Sequence, residues 1–374
     1  MGKILLILLV LLAVVAGWLW VSVHHPYQGF PAEGIFVEVP HGASSRSVAR
    51  LLRRKGVIRS AIAFEFYARR HPRRSLQAGE YFFNEPISAH DVFWKLANGQ
   101  VYEQPFTVRE GETMFDIARD LEAAKLMPAS EFLRAAKDPA LIQDLAPRAS
   151  TLEGFLFPAT YNLPRHPTAA TLTADMVRKF KEEWNLVTTS SAASPPGGGT
   201  GTGGSGTEGA APALSSTIPD ASVSSSTASI SARPIASIVA LASLVERETP
   251  KREERPLVAG VFENRLHKSM PLQCDPTVIY ALEQTNSYKG TLTLADLRID
   301  SPYNTYTHTG LPPGPIGNPG EASLRAAYQP AHTEYIYFVA NTQGGHFFSA
   351  TLAEHNNNVI KYRRLLAGEQ PTTR

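Results

Sequence analysis

The sequence predicts an α+β protein in three parts: an N-terminal transmembrane helix, a small strand–turn–helix module and a larger C-terminal α+β domain. Three observations carry this. Residues 4–23, ILLILLVLLAVVAGWLWVSV, hold no charge and can cross a hydrocarbon core of about 30 Å as a helix. A strand, Gly turn and capped helix occur in sequence twice, at Val39–Ile58 and Val108–Met127. From Pro234 onward, helical periodicities alternate with one long loop, and a hairpin and a helix close the chain.

The 374 residues carry 36 Lys and Arg against 34 Asp and Glu, a net charge of +2. That balance argues against a nucleic-acid partner, which calls for a basic excess. A single cysteine, Cys274, excludes an intramolecular disulfide and every multi-cysteine metal or redox motif. The charged share, 19%, lies below the globular norm of roughly 25%. Two segments explain the deficit. Residues 1–23 hold only Lys3, and residues 188–232 hold only Glu208 and Asp220.

The first segment reads as an uncleaved anchor. Trp18, Trp20 and Tyr27 lie where an interfacial aromatic belt belongs. A cleaved signal peptide is the alternative, but the small residues Ala13–Ala16 come too early and the apolar run continues to Val23. Lys3 precedes the helix and no Lys or Arg follows until Arg46, which puts the N-terminus in the cytoplasm and the bulk of the chain outside. The second segment is almost wholly Gly, Ser, Thr, Ala and Pro. It reads as a flexible insertion, a spacer or a tolerated surface loop.

Region 34–150 carries the repeat. Gly42 matches Gly111, Ser44 matches Thr113, Val48-Ala49 matches Ile117-Ala118, and Leu52 matches Leu121. Each copy has a strand-like run, a Gly turn, a Ser/Thr cap and apolar residues at helical spacing. Such units resemble LysM modules, which bind the N-acetyl-sugar backbone of peptidoglycan; a purely structural role is the alternative. Between the copies lie a strand and a helix capped near Ser88. The basic clusters Arg53–Lys55 and Arg69–Arg74 read as solvated faces, or as contacts with headgroups or anionic wall polymer.

The domain of residues 151–374 opens its chemistry in Pro234–Pro250. Ile238, Val239, Leu241, Leu244 and Val245 make a helix apolar nearly all round, hence buried. Glu246 falls in its last turn, where burial and the negative helix end both raise a carboxyl pKa. A general acid needs that; a salt bridge to a nearby cation is the other reading. Glu248 stands about 200° further round the axis and reads as the solvated partner of Arg247, Lys251 or Arg252. A second helix follows, with Leu257, Val258, Val261, Phe262 and Leu266 on one face and Asn264 and Arg265 flanking it. Asp275-Pro276 reads as an N-cap pair, with Gln273 free in the loop before it and Cys274 as a small buried hydrophobe. Ser301–Gly320, dense in Pro, Gly, Asn, Thr and Tyr, fits neither helix nor strand. A stiff loop of amides, hydroxyls and tyrosine faces suits a sugar ligand; packing over the core is the alternative. Asn318 reads as the cap of the next helix.

Together these motifs resemble the endolytic murein transglycosylases, the MltG/YceG-like family. The carriers are LASLVERET (Leu241–Thr249), VFENRL (Val261–Leu266), LQCDPTVIYAL (Leu272–Leu282), the loop Ser301–Gly320, SLRAAYQPA (Ser323–Ala331), YIYFVA, GGHFFS and TLEGFLFPATYNLP (Thr151–Pro164). Ala159 stands where the family usually has an acid, though Glu153 remains. The resemblance implies Glu246 as the catalytic acid, with Gln273, Asp275, Asn304, Thr305, Tyr306 and Asn318 holding the glycan. It implies no metal or cofactor. The implied reaction is non-hydrolytic cleavage of the β-1,4 bond between N-acetylmuramic acid and N-acetylglucosamine, leaving a 1,6-anhydro end. One acid suffices because the attacking C6 hydroxyl belongs to the substrate. The implied place is the inner membrane, with a periplasmic catalytic domain that ends nascent strands beside peptidoglycan synthases. Two other readings stay open: a hydrolytic muramidase on the same site, and an anchored glycan-binding scaffold without activity.

Overall fold

The computed structural model describes residues 2–192 and 233–367. The insertion expected over 188–232 lies outside the described residues from 193 onward, and its first residues extend the helix before it. The chain divides into two units. The first holds residues 1–106 and 162–167, the second residues 107–161 and 168–374. The division separates the two repeat copies, which the sequence pattern joins in one region, 34–150. The cause is packing: the second copy belongs to the C-terminal unit, where the Phe115 ring packs 6.1 Å from that of Tyr280.

In the first unit, α1 (Gly2–His24) buries only Ser22 and Val23. Among the described residues it is the one helix long and apolar enough to cross a membrane. Strand β1 (Ile35–Val39) pairs antiparallel with β2 (Gly79–Phe83), Val37 opposite Tyr81. Helices α2 (Ser45–Arg54), α3 (Ala61–Arg69) and α4 (Ala89–Ala97) each start on a serine, Ser44, Ser60 and Ser88. Each hydroxyl accepts an N–H three residues on, worth about 1 kcal/mol per cap. Val37, Leu52, Phe64, Tyr81, Phe93 and Leu96 fill the core between the hairpin and these helices.

Strands β3 (Gln104–Thr107) and β4 (Thr160–Leu163) carry the chain between the units. In the second unit, α5 (Met114–Ala123) opens on a reciprocal capping box of Thr113 and Asp116. Gly111 before it has φ +82°, and Gly42 in the first copy has φ +71°, a turn that excludes most side chains. Helices α6 (Ala129–Ala136) and α7 (Ala169–Ala192) follow.

The centre of the unit is α8 (Ile235–Glu248), buried without interruption from Ile238 to Val245. Val239, Leu241, Leu244 and Val245 are fully enclosed, each worth roughly 1.5–3 kcal/mol of burial. Around it pack α9 (Arg255–His267), α10 (Asp275–Gln284) and α11 (Glu321–Tyr328). The hairpin β5 (Tyr337–Ala340) and β6 (His346–Ser349) and the helix α12 (Leu352–Leu366) complete the chain. Residues 301–320 hold neither helix nor strand, as expected. Two expected caps are displaced by one or two residues. Cys274, not Asp275, is the N-cap of α10, and Gly320, not Asn318, that of α11. Both side chains are engaged elsewhere.

Candidate active site

The two glutamates at the end of α8 face different neighbours. Glu246 Oε1 lies 2.5 Å from Arg255 Nη2, and both side chains are only 4% exposed. Its Oε2 accepts the Gly320 N–H at 2.9 Å. Arg255 also approaches Glu110 at 3.4 Å. A Cβ on Gly320 would stand 2.2 Å from Glu110 Oε1, so any side chain there would have to move Glu110 aside. Burial raises the Glu246 pKa, as the sequence suggests, while the Gly320 N–H and Arg255 pull it down. Both of its carboxyl oxygens are committed. The salt-bridge reading of Glu246 thus has a named partner, supplied by the first turn of α9.

Glu248 projects toward the N-terminus of α10. Its neighbours are the Cys274 thiol and the Asp275 carboxylate. Burial pushes its pKa up to about 7, against a hydrogen bond from the Cys274 thiol that lowers it and with a smaller raising contribution from Asp275. No ion pair reaches it among the described residues: Arg247 donates to the Gly111 carbonyl at 3.4 Å and Arg252 to Glu110 at 3.4 Å. The expectation of a solvated partner for these cations is therefore corrected. Partial burial, an acidic neighbour and a missing cation leave Glu248 able to hold and release a proton near neutrality.

Around Glu248 the residues 272–275 and Tyr306 form one group. Gln273 is exposed with φ +55°, a left-handed backbone that costs a non-glycine residue about 1–2 kcal/mol. It is held by its N–H to the Thr305 carbonyl at 3.1 Å and by Arg265 Nη2, which donates to Gln273 Oε1 at 2.7 Å. The exposed Asp275 accepts the Tyr306 hydroxyl at 2.5 Å. Burial, then Asp275, push the Tyr306 phenol far up, so it stays a donor. The Arg265 guanidinium stacks 5.7 Å from the Tyr337 ring centre.

Three residues expected to hold a ligand are instead scaffold. Asn304 is fully buried and donates to the carbonyls of Leu297 and Ile299 at 3.2 and 2.9 Å. The Thr305 hydroxyl accepts the Cys274 N–H at 3.0 Å and meets that of Thr277 at 2.9 Å. Asn318, fully buried, accepts from Gly154 and Leu156 N–H at 2.9 and 3.0 Å and donates to the Glu112 carbonyl and to Glu153. An irregular loop leaves backbone groups without ladder partners, and these side chains satisfy them. Glu153 is the hub. It accepts from Met114 N–H, Tyr280 hydroxyl and Asn318, and burial pushes its pKa up to about 8.

The structure thus groups Asp275 and Tyr306 with Glu248 and ties Gln273 to Arg265, while Asn304, Thr305 and Asn318 hold the loop that carries Tyr306. Sequence reasoning missed Arg255 and Glu110, and it read Glu248 only as a solvated partner of nearby cations. The spacing of 246 and 248 signals that the two diverge, but no local feature tells which face meets a cation.

The profile of the YceG-like family matches residues 37–361. An endolytic murein transglycosylase of Bacillus subtilis (strain 168) is 31% identical over 91% of this chain and 88% of its own length. One of Streptococcus pneumoniae (strain ATCC BAA-255 / R6) is 27% identical over 88% of this chain, which spans 58% of that relative. A crystal structure of a YceG-like protein from Listeria monocytogenes superposes with a TM-score of 0.51 at 29% identity, covering 87% of this chain and 99% of the other. The motifs, the fold and the matched length agree, and the chain belongs to the YceG-like family.

Proposed function

We propose that this chain is a membrane-anchored endolytic lytic transglycosylase, with Glu248 as the acid and base of the reaction. The enzyme class, a lyase acting on murein, follows from the family and its curated relatives. The observation that carries the assignment of Glu248 is its placement: its carboxyl lies beside Cys274 and Asp275, which Tyr306 reaches, with no ion pair among the described residues, whereas Glu246 is bound to Arg255. In this reading Glu248 donates its proton to the glycosidic oxygen as the bond to muramic acid C1 breaks. The carboxylate then takes the proton from the C6 hydroxyl as O6 closes on C1. A 1,6-anhydro end forms, no water is consumed, and the acid is regenerated. Gln273 and Tyr306 orient the glycan, and Asp275 keeps the Glu248 proton in place electrostatically.

Glu246, the acid implied by the motif resemblance, is the rival for that role; in the Glu248 reading it fixes Arg255 and the start of α11. The anchor reading puts the N-terminus in the cytoplasm and the chain beyond α1 in the periplasm, where a tethered enzyme meets new strands beside the synthases. Glycan binding by the LysM-like second copy belongs to the same proposal, since its turn is tied to the Asn318 loop. The proximity of Asp275 favours one second reading, a hydrolytic muramidase with two carboxylates. Mass analysis of fragments released from un-crosslinked glycan decides between them. Anhydro ends support transglycosylation, and reducing muramic ends, heavier by one water, refute it. No fragments at all supports the scaffold reading.

A further inference from the structure

The first unit carries a groove that the proposed reaction does not use. One wall is α1, with Leu12, Val15 and Leu19; the other is α3, with Phe66 and Arg70. Its volume is about 670 Å³.

Three observations define the occupant. On α3, Ile62 and Phe66 stand one turn apart and are 72% and 44% exposed, an apolar face that the described residues leave open. On α1, the side chains facing the groove are apolar up to Trp20, and Val23 and His24 then close it. Basic side chains line the groove as well. Arg70 lies 4.9 Å over the Phe66 ring, and His71 and His24 line the groove beside it. Arg69 is paired with Glu65 at 2.7 Å and Arg74 stacks over Trp94. Arg70, exposed, forms no ion pair among the described residues. From Leu12 to His24 the helix rises ~18 Å, close to one leaflet of a core of about 30 Å. The groove is therefore apolar along α1 over about a leaflet's depth and carries the Arg70 guanidinium on its other wall.

We infer that this groove binds one anionic phospholipid of the outer leaflet, its acyl chains along Leu12–Leu19 and its phosphate on Arg70 with His71. The inference rests on α1 spanning the membrane. The lipid would fix the first unit against the bilayer through α3, which converts the basic run 69–74 from a solvated face into a membrane contact.

Native mass spectrometry of the full chain with added phosphatidylglycerol or phosphatidylcholine tests this. One phosphatidylglycerol is expected to be retained in preference to phosphatidylcholine. Arg70→Gln is expected to weaken that retention about fivefold, and Arg70→Lys to restore most of it. Inorganic phosphate is expected not to displace the lipid. Equal retention of the two lipids, displacement by phosphate, or an unchanged Arg70→Gln overturns the site, given an unchanged melting profile of the variant. Alkaline carbonate extraction separates the two failures. A chain that stays in membranes but shows no lipid preference keeps its anchor and loses only the lipid site.

Discussion

Replacing the two glutamates of α8 one at a time separates chemistry from scaffold. At pH 7 a carboxyl with a pKa of about 7 is about half protonated, whereas one at the ordinary 4.5 is about 0.3% protonated. Burial beside Asp275 thus gives Glu248 about 150-fold more of the acid form. Glu248→Gln removes the proton donor altogether, and turnover should fall by about 10²–10⁴ with the fold intact. Glu246→Gln leaves Arg255 buried with only Glu110, at 3.4 Å, as its carboxylate partner. Breaking a buried pair costs about 3–5 kcal/mol, and the remaining carboxylate lowers that to about 2–4 kcal/mol. A melting point lower by on the order of 5–10 °C follows, with turnover per folded molecule within about tenfold of the parent. The assay is release of anhydro-ended fragments from un-crosslinked glycan, normalised to folded protein by thermal melting. A folded, inactive Glu246→Gln beside an active Glu248→Gln would refute the assignment.

The pH profile gives an independent check. The acid must start protonated, so activity is expected to fall as pH rises through about 7; Asp275→Asn removes a raising influence and should move that fall to lower pH. Glu153 carries a stability signature. Its folded pKa of about 8 exceeds the ordinary 4.5, so the folded state holds the extra proton and stability drains away as pH rises from about 4.5 to about 8. Melting of Glu153→Gln between pH 5 and 9 should be flatter than that of the parent, and a parallel profile would contradict the buried-proton account. At position 273 the left-handed backbone makes glycine the better replacement. Gln273→Gly should be more stable than Gln273→Ala by about 1 kcal/mol in denaturant unfolding, although both lose the Arg265 bond. The buried Cys274 thiol, raised well above its ordinary pKa by burial and Glu248, should resist maleimide in the native protein and react on unfolding.

Much of the architecture is legible in the residues themselves. Ser44, Ser88 and Thr113 mark their helix starts because a cap needs only a hydroxyl and the next turn of the chain. The burial of α8 follows from an apolar surface all round, and the irregularity of 301–320 from its Pro and Gly content. Caps depart from expectation where a more distant group claims the side chain. Asp275 is taken by Tyr306, 31 residues on, and Asn318 by Gly154 and Leu156, more than 160 residues back. The fate of the polar loop residues is hidden for the same reason. Asn304, Thr305 and Tyr306 are neighbours of similar chemistry, yet two face inward to satisfy backbone groups and one reaches Asp275.

By itself, then, the sequence determined an apolar helix fit to anchor the chain, the order of many elements, the family, and a pair of acids at the end of a buried helix. Tertiary structure alone decided which of those acids meets a cation. Glu246 and Glu248 have the same local environment along the chain and differ by about 200° around the axis. What separates them is the partner each face meets. Arg255 from α9 and the Gly320 amide hold one carboxylate in place, and burial, with Asp275 from α10 beside it, favours a proton on the other. Charge and solvation act through space over a few ångströms, so their effect on a side chain is fixed only when distant segments have packed around it.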